Sequence, residues 1–348
     1  MPEEKIKENI KKCARCALCV QNCPIYDIKK DENNTARGLI CKLIGYEKKL
    51  LTQKEIKKDL KICLMCSKCK SNCPSKVNTT YAFGYKNAYF SPSKISQRLF
   101  LSFKLLPLKL IYFFNLLKKK KENKKNNTKI YYFKGCVAKA QHKTTFLDEI
   151  CANQNFSCCG IPYLSGGDLK NYNKVKEKNI QLIKESSLIV FDCASCKSSV
   201  EEYEELSKEQ KNKLIFFTDL LKEKKFKLKT NSKFKNKTIV FHKPCHMNQK
   251  DFLNIENFLS SIENLNYKKL ENPDSCCGFG GRYFIFHPII SSKIALKKAL
   301  TIKNSKTDYI LTSCPSCTIG LRFGQLISKN FKKTIELRDF IETELEKI

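Results

Sequence analysis

The sequence has no tryptophan, three methionines, and few glycines and prolines, 12 and 10 in 348 residues. That scarcity excludes a collagen-like chain and a Gly/Pro-rich low-complexity one. Acidic residues are also in short supply: 34 Asp and Glu against 66 Lys and Arg leave a net charge of +32. The opening residues, Met1-Pro2-Glu3-Glu4-Lys5, lack the apolar stretch of a secretory leader, so a cytoplasmic location is expected. An apolar content of 42%, with 11% aromatic residues, excludes a wholly disordered chain. The length suits two or three domains with a real core. Cysteine is what the chain has in quantity, with 20 residues. In a reducing compartment these point to metal ligands or redox thiols rather than structural disulfides.

The positive charge invites a nucleic-acid reading, but the lysines are spread along the whole chain among Asn and Ile. Such lysines are expected on solvated faces, where they aid solubility. No RNA-recognition, zinc-finger or basic-zipper pattern accompanies them, so no nucleic-acid partner is expected. One basic cluster has context. Residues Arg98 to Leu117 form an apolar segment that ends in Lys118, Lys119, Lys120 and Lys121. Lys104, Pro107 and Lys109 interrupt it, and each central Lys costs about 2.5–3.5 kcal/mol on insertion, which rules out a transmembrane helix. Two readings stay open: a packing segment followed by a solvated linker, or peripheral contact with an anionic membrane on the cytoplasmic face.

Cysteine clusters define the organisation. Cys13, Cys16, Cys19 and Cys23 form a C-x2-C-x2-C-x3-C-P run, and Cys63, Cys66, Cys69 and Cys73 form a second. Three thiols of such a run wrap one cluster, and in two-cluster ferredoxins the fourth Cys, before Pro, ligates the other cluster. The spacing therefore predicts two 4Fe–4S clusters. One is held by Cys13, Cys16, Cys19 and Cys73, the other by Cys23, Cys63, Cys66 and Cys69. Two four-cysteine zinc sites are the alternative, although zinc usually takes paired C-x-x-C units. Residues between the runs have helical apolar spacing. Residues 1–90 thus read as a small, mostly helical domain, and 91–127 as an amphipathic connector and basic linker.

Beyond residue 128, short apolar runs at Ile130–Phe133, Leu188–Phe191, Leu214–Phe217, Thr238–Phe241 and Tyr309–Leu311 alternate with helical stretches such as Lys174–Glu185 and Ser292–Lys303. That alternation predicts an α/β fold with parallel strands. This region is also an internal repeat. Cys136, Cys158-Cys159-Gly160 and Cys193-x-x-Cys196 recur in order as Cys245, Cys276-Cys277-Gly278 and Cys314-x-x-Cys317. The two copies give domains 128–230 and 231–348. Each cysteine group lies at or just past the carboxyl end of a predicted strand, the edge where α/β folds bind ligands. Cys245, Cys276, Cys277, Cys314 and Cys317 suit a third, multi-iron centre. Cys136, Cys158, Cys159, Cys193 and Cys196 suit a fourth cluster or zinc. A structural zinc or a buried cysteine cluster is the alternative in both copies, above all in the first, whose lead gap is shorter. Cys41 and Cys151 fall outside every motif and read as small buried hydrophobes. His246 could tune or protonate the second centre or be a satisfied surface residue. Gly278-Phe-Gly280-Gly281 lacks the dinucleotide fingerprint, and no flavin or nicotinamide motif or Ser/His/Asp constellation stands out.

The two N-terminal runs, together with Ala36-Arg37-Gly38 between them, resemble the iron–sulfur subunit of glycolate oxidase (glycolate dehydrogenase). His242-Lys-Pro-Cys245-His246 and the two Cys-Cys-Gly repeats resemble the cysteine-rich (CCG) domains shared with the heterodisulfide reductases. The resemblance covers nearly the whole chain. It implies an α-helical ferredoxin domain followed by two Rossmann-like CCG domains, with non-cubane 4Fe–4S centres in the repeats. It further implies an electron route from a separate FAD-containing 2-hydroxy-acid oxidase subunit, acting on glycolate or lactate, to quinone or another membrane acceptor. On that basis the chain is an oxidoreductase subunit that needs its flavoprotein for catalysis. The rival expectation is a thiol–disulfide reductase whose second repeat is itself the active site.

Overall fold

The computed structural model describes residues 3–90, 129–140, 145–152, 156–224, 228–230, 234, 236–280 and 283–347. The expected connector at 91–127, with its membrane-contact reading, lies outside them. No helix among the described residues is long and apolar enough to cross a membrane.

The N-terminal region is helical. Helix Glu3–Lys11 buries Ile6 and Ile10, and helix Ala36–Glu47 buries Ala36, Leu39, Ile40 and Leu43. Cys41 falls between these inward positions and is exposed, contrary to its reading as a buried hydrophobe, whereas Cys151 is buried. One residue is a 100° rotation on a helix, enough to turn a side chain off the packed face. The helical spacing at residues 42–62 resolves into the end of helix Ala36–Glu47 and a separate helix. Lys49 adopts a left-handed φ of 59°, and Thr52 opens helix Gln53–Leu60 with a capping box to Glu55, which satisfies two of the free N-terminal amides. Lys86 is an exception to solvated lysines: it is fully buried and ion-paired to Glu3 and Glu47 at 2.7 and 3.0 Å.

The remainder is α/β. In the first repeat β1 (Ile130–Tyr132), β2 (Leu188–Phe191) and β3 (Leu214–Phe216) form a parallel sheet in that order. A parallel bridge from Tyr131 to Ala152 extends its edge. In the second repeat β5 (Thr238–His242), β6 (Asn266–Lys268), β7 (Tyr309–Thr312) and β8 (Lys333–Glu336) form a parallel sheet in the order β6-β5-β7-β8. The sheets share one plan, because β5, β7 and β8 repeat β1, β2 and β3. Parallel neighbours need long crossovers. Helices Leu169–Glu185 and Pro288–Asn304 supply them. A third pairing, antiparallel, joins β4 (Leu228–Thr230) to β9 (Leu345–Lys347), so the end of the chain returns to the region between the two sheets' sequences.

The repeats pack on each other through a common core that includes Val190, Phe216, Phe241, Leu311 and Phe340. A buried charge cluster crosses the same junction. Arg338 pairs with Asp192 of the first repeat, and with Glu336 at 3.3 Å and Asp339 at 3.2 Å. Tyr132 donates its hydroxyl to Asp192 at 2.7 Å. Burial holds the Glu336 carboxyl up at about 7 even with Arg338 beside it. Asp192 immediately precedes Cys193, so this cluster sets the relative position of the two cysteine edges. Replacing Arg338 by Met strands two buried carboxylates and is expected to cost about 3–5 kcal/mol. A thermal or urea melt of the full chain checks this, and an unchanged midpoint would contradict it.

Candidate metal centres

The two N-terminal cysteine loops are built alike. Each starts where a helix ends, after Lys11 and after Leu60. Each then places non-glycine residues in the left-handed region on either side of its second cysteine. These are Arg15 and Ala17 around Cys16, and Met65 and Ser67 around Cys66, with φ between 54° and 65°. Each left-handed residue costs roughly 1 kcal/mol or more. The same strained turn in both loops brings three thiols to one side. Short helices Leu18–Gln21 and Lys68–Ser71 carry Cys19 and Cys69. Cys23 caps helix Pro24–Lys29, with Pro24 in its first turn, where the missing N–H costs nothing.

The fourth cysteines change partners. One cavity is lined by Cys13, Cys16, Cys19 and Cys73, with Cys69 at its wall. A second is lined by Cys23, Cys63, Cys66 and Cys69. Hydrogen bonds already point at the sulfurs. The Met65 amide donates to Cys63 Sγ and the Val77 amide to Cys73 Sγ, both at 3.4 Å. Cys69 Sγ and Thr79 Oγ1 lie 2.8 Å apart. Burial pushes the Cys63 thiol well up and the Cys69 thiol up to about 12. Groups of thiols in such surroundings hold anionic charge only beside a cation, and four convergent soft donors suit an iron–sulfur cluster or zinc.

In the repeats, Cys193 and Cys314 cap the helices Ala194–Glu201 and Pro315–Ile327 that follow β2 and β7. Cys136 and Cys245 follow β1 and β5. The Cys-Cys-Gly turns rely on their glycines. Gly160 and Gly278 have φ of 86° and 81°. A Cβ would meet the Tyr172 ring at 2.7 Å in the first and the Ser291 carbonyl oxygen at 2.6 Å in the second. Each turn brings its paired thiols to the other cysteines of its copy. Cys136 lies beside Cys158, and Cys159 beside Cys196. Cys245 packs with Cys276, and Cys277 lies 3.4 Å from Cys317. Hydrogen bonds from neighbouring thiols hold Cys159, Cys277 and Cys314 well below the usual thiol range.

The groups also touch each other. Cys193 and Cys314 pack in one cluster across the repeats, and Cys66 packs with Cys276 across the N-terminal boundary. His246 sits at this junction, with Nδ1 3.1 Å from Ser195 Oγ and Nε2 2.8 Å from the Met65 carbonyl oxygen. Gly280 approaches the backbone of Leu64 in the N-terminal region rather than cradling a nucleotide. His242 was not expected from the sequence as a site residue, yet it lies fully buried beside Cys277 and Cys317. Its position at the end of a strand that leads into Cys245 was the available signal.

Residues 9–77 match the 4Fe-4S dicluster domain, and residues 130–201 and 239–322 match the CCG cysteine-rich domain. The chain thus carries one 4Fe–4S dicluster domain followed by two copies of the CCG cysteine-rich domain. Among its relatives, an uncharacterized iron–sulfur protein of Methanococcus maripaludis is 30% identical over 49% of this chain and 34% of its own length. Lactate utilization protein A of Oceanobacillus iheyensis is 23% identical over 59% of this chain and 91% of its own. The probable glycolate oxidase iron–sulfur subunit of Bacillus subtilis is 24% identical over 48% and 41%. The chain thus spans about a third of the length of the first and nearly all of the second.

Cys73→Ser is expected to alter the same cluster signal as Cys16→Ser and to spare the one that Cys66→Ser alters. Electron paramagnetic resonance of the reduced full-length protein checks the grouping. Cys73→Ser grouping with Cys66→Ser would contradict it.

Proposed function

We propose that this chain is the electron-transfer subunit of a 2-hydroxy-acid dehydrogenase, acting with a FAD-containing partner on glycolate or lactate. Oxidation of the hydroxy acid to its oxo acid releases two electrons and two protons. The flavin takes the electrons as a pair, and this chain passes them singly toward a quinone, which becomes quinol on gaining two electrons and two protons. Residues 1–90 form an α-helical ferredoxin domain with crossed ligation: Cys13, Cys16, Cys19 and Cys73 hold one 4Fe–4S cluster, and Cys23, Cys63, Cys66 and Cys69 hold the other. Domains 128–230 and 231–348 are Rossmann-like. The second holds a multi-iron centre on Cys245, Cys276, Cys277, Cys314 and Cys317, and the first holds a fourth cluster or zinc. Bound clusters supply one-electron carriers. The protein sets their potentials through burial and N–H···S hydrogen bonds.

The observation that carries this reading is the unbroken line of thiols. Cys69 borders both N-terminal cavities, Cys66 meets Cys276, and Cys314 meets Cys193. Carriers held along it would lie close enough for rapid hops without a mobile domain. The names of the lactate and glycolate relatives support the substrate class. One feature favours the second reading, a thiol–disulfide reductase. A polar cleft of about 340 Å³ between the N-terminal domain and the second repeat reaches Cys276, with Lys68, Lys297 and Asp274 on its walls.

Cys277→Ser is expected to remove the second-repeat centre and leave the two N-terminal clusters. Reduction by the flavoprotein then survives while turnover with quinone falls. Anaerobic purification with bound partners, tested on a panel of 2-hydroxy acids, reads both effects. Disulfide reduction without any response to hydroxy acids would favour the second reading.

A further inference from the structure

The following rests on the reading that the second repeat holds a metal centre, and adds a ligand to it. We propose that His242 Nε2 binds the same metal ion as Cys277 and Cys317, making the second-repeat centre a mixed nitrogen–sulfur site.

His242 ends β5, the strand that leads to Cys245, and is fully buried. Its Nδ1 lies 2.9 Å from the Pro273 carbonyl oxygen. A carbonyl can only accept, so Nδ1 carries the hydrogen, and in a neutral imidazole Nε2 keeps its lone pair. That Nε2 atom is buried with no nitrogen or oxygen partner, and the Cys277 sulfur lies against it. Buried polar atoms are almost always satisfied: the Cys277 S–H satisfies this lone pair in the metal-free chain, and once metal binding removes that proton a cation shared by the ring and the sulfur takes its place. Its surroundings supply the geometry. The ligand atoms of His242, Cys277 and Cys317 all lie within 4.8 Å of one another, and the two sulfurs are 3.4 Å apart. Two thiolates about 2.3 Å from one tetrahedral ion would sit roughly 3.8 Å apart. The sulfur spacing therefore fits a shared ion, with the imidazole as a third donor.

The surrounding groups favour that role. Lys298 Nζ donates to the Asn272 and Pro273 carbonyl oxygens at 3.0 and 3.3 Å. It fixes the carbonyl that orients the ring. Metal-binding histidines commonly donate their other N–H to a backbone carbonyl in this way. His246, also near the centre, is unsuited, because both its nitrogens are engaged, by Ser195 and by Met65. Among the described residues the first repeat has no counterpart at this position. Three residues before its lead cysteine stands Phe133, packed against Phe156 and Phe191. The two repeats share their five thiols and differ at this position, His242 in the second against Phe133 in the first.

The test uses the full-length protein, reconstituted anaerobically with iron and sulfide and labelled with 15N-histidine, examined by pulsed electron paramagnetic resonance. The signal abolished by Cys277→Ser is expected to show coupling to a directly bound imidazole nitrogen. That coupling should change with the label, vanish in His242→Ala and persist in His246→Ala. The labelled native chain answers the question even if His242→Ala fails to fold. A Cys277-dependent signal without histidine nitrogen coupling would overturn the proposal. No Cys277-dependent signal, with iron stopping at about eight per chain for two cubes, would instead overturn the reading beneath it, and the proposal with it.

Discussion

Buried thiols gathered against one another are the constraint on which this structure depends. Cys159, Cys193, Cys196, Cys276, Cys277, Cys314 and Cys317 are all buried, and most touch another sulfur. Desolvation opposes a thiolate at such depth, and each neighbouring thiolate opposes it further. Hydrogen bonds among the thiols relieve only a few of them, chiefly Cys159, Cys277 and Cys314. A bound cationic centre resolves the conflict by coupling metal binding to the stability of the folded chain. The rest of the fold can be understood as the means of bringing the sulfurs together.

Two devices do so. In the N-terminal domain, paired left-handed residues bend each loop around its second cysteine, and the Cys-Pro that follows sends the fourth thiol to the opposite cavity. In the repeats, parallel strands end at one edge, and the helices that follow start with a cysteine as cap. The buried Arg338 cluster joins the two edges through Asp192, one residue from Cys193. Contacts then tie the N-terminal domain to both repeats. Asn78 and Lys70 reach Glu202 of the first, while Lys297 pairs with Asp27 from the second. Such salt links at the surface add little energy.

Much of this was legible in the sequence because cysteine spacing is a short-range signal and each spacing has one main chemical use. The parallel strands were legible as well, since β1, β2, β3, β5 and β7 are apolar runs. β8 escaped notice: Lys333-Thr-Ile-Glu336 has charged ends, and its Glu336 is buried with Arg338 paired to it. β6 is short and mostly exposed, and β4 and β9 pair over a sequence distance that no local pattern reports. Contacts between motifs were illegible for the same reason. Spacing within a motif says nothing of Cys66 meeting Cys276, or of Cys193 meeting Cys314. His242 was overshadowed by His246, which stands next to a cysteine in sequence yet has its nitrogens engaged elsewhere.

Clusters held in the N-terminal cavities and centres held in the repeats would form one electron path through neighbouring thiols. Stepwise reduction of the full-length protein under electron paramagnetic resonance tests it most directly. Spin–spin broadening is expected between the signal assigned by Cys66→Ser and the signal assigned by Cys277→Ser, appearing once both are reduced. Two signals that simply add, with relaxation unchanged by each other's reduction, would contradict it.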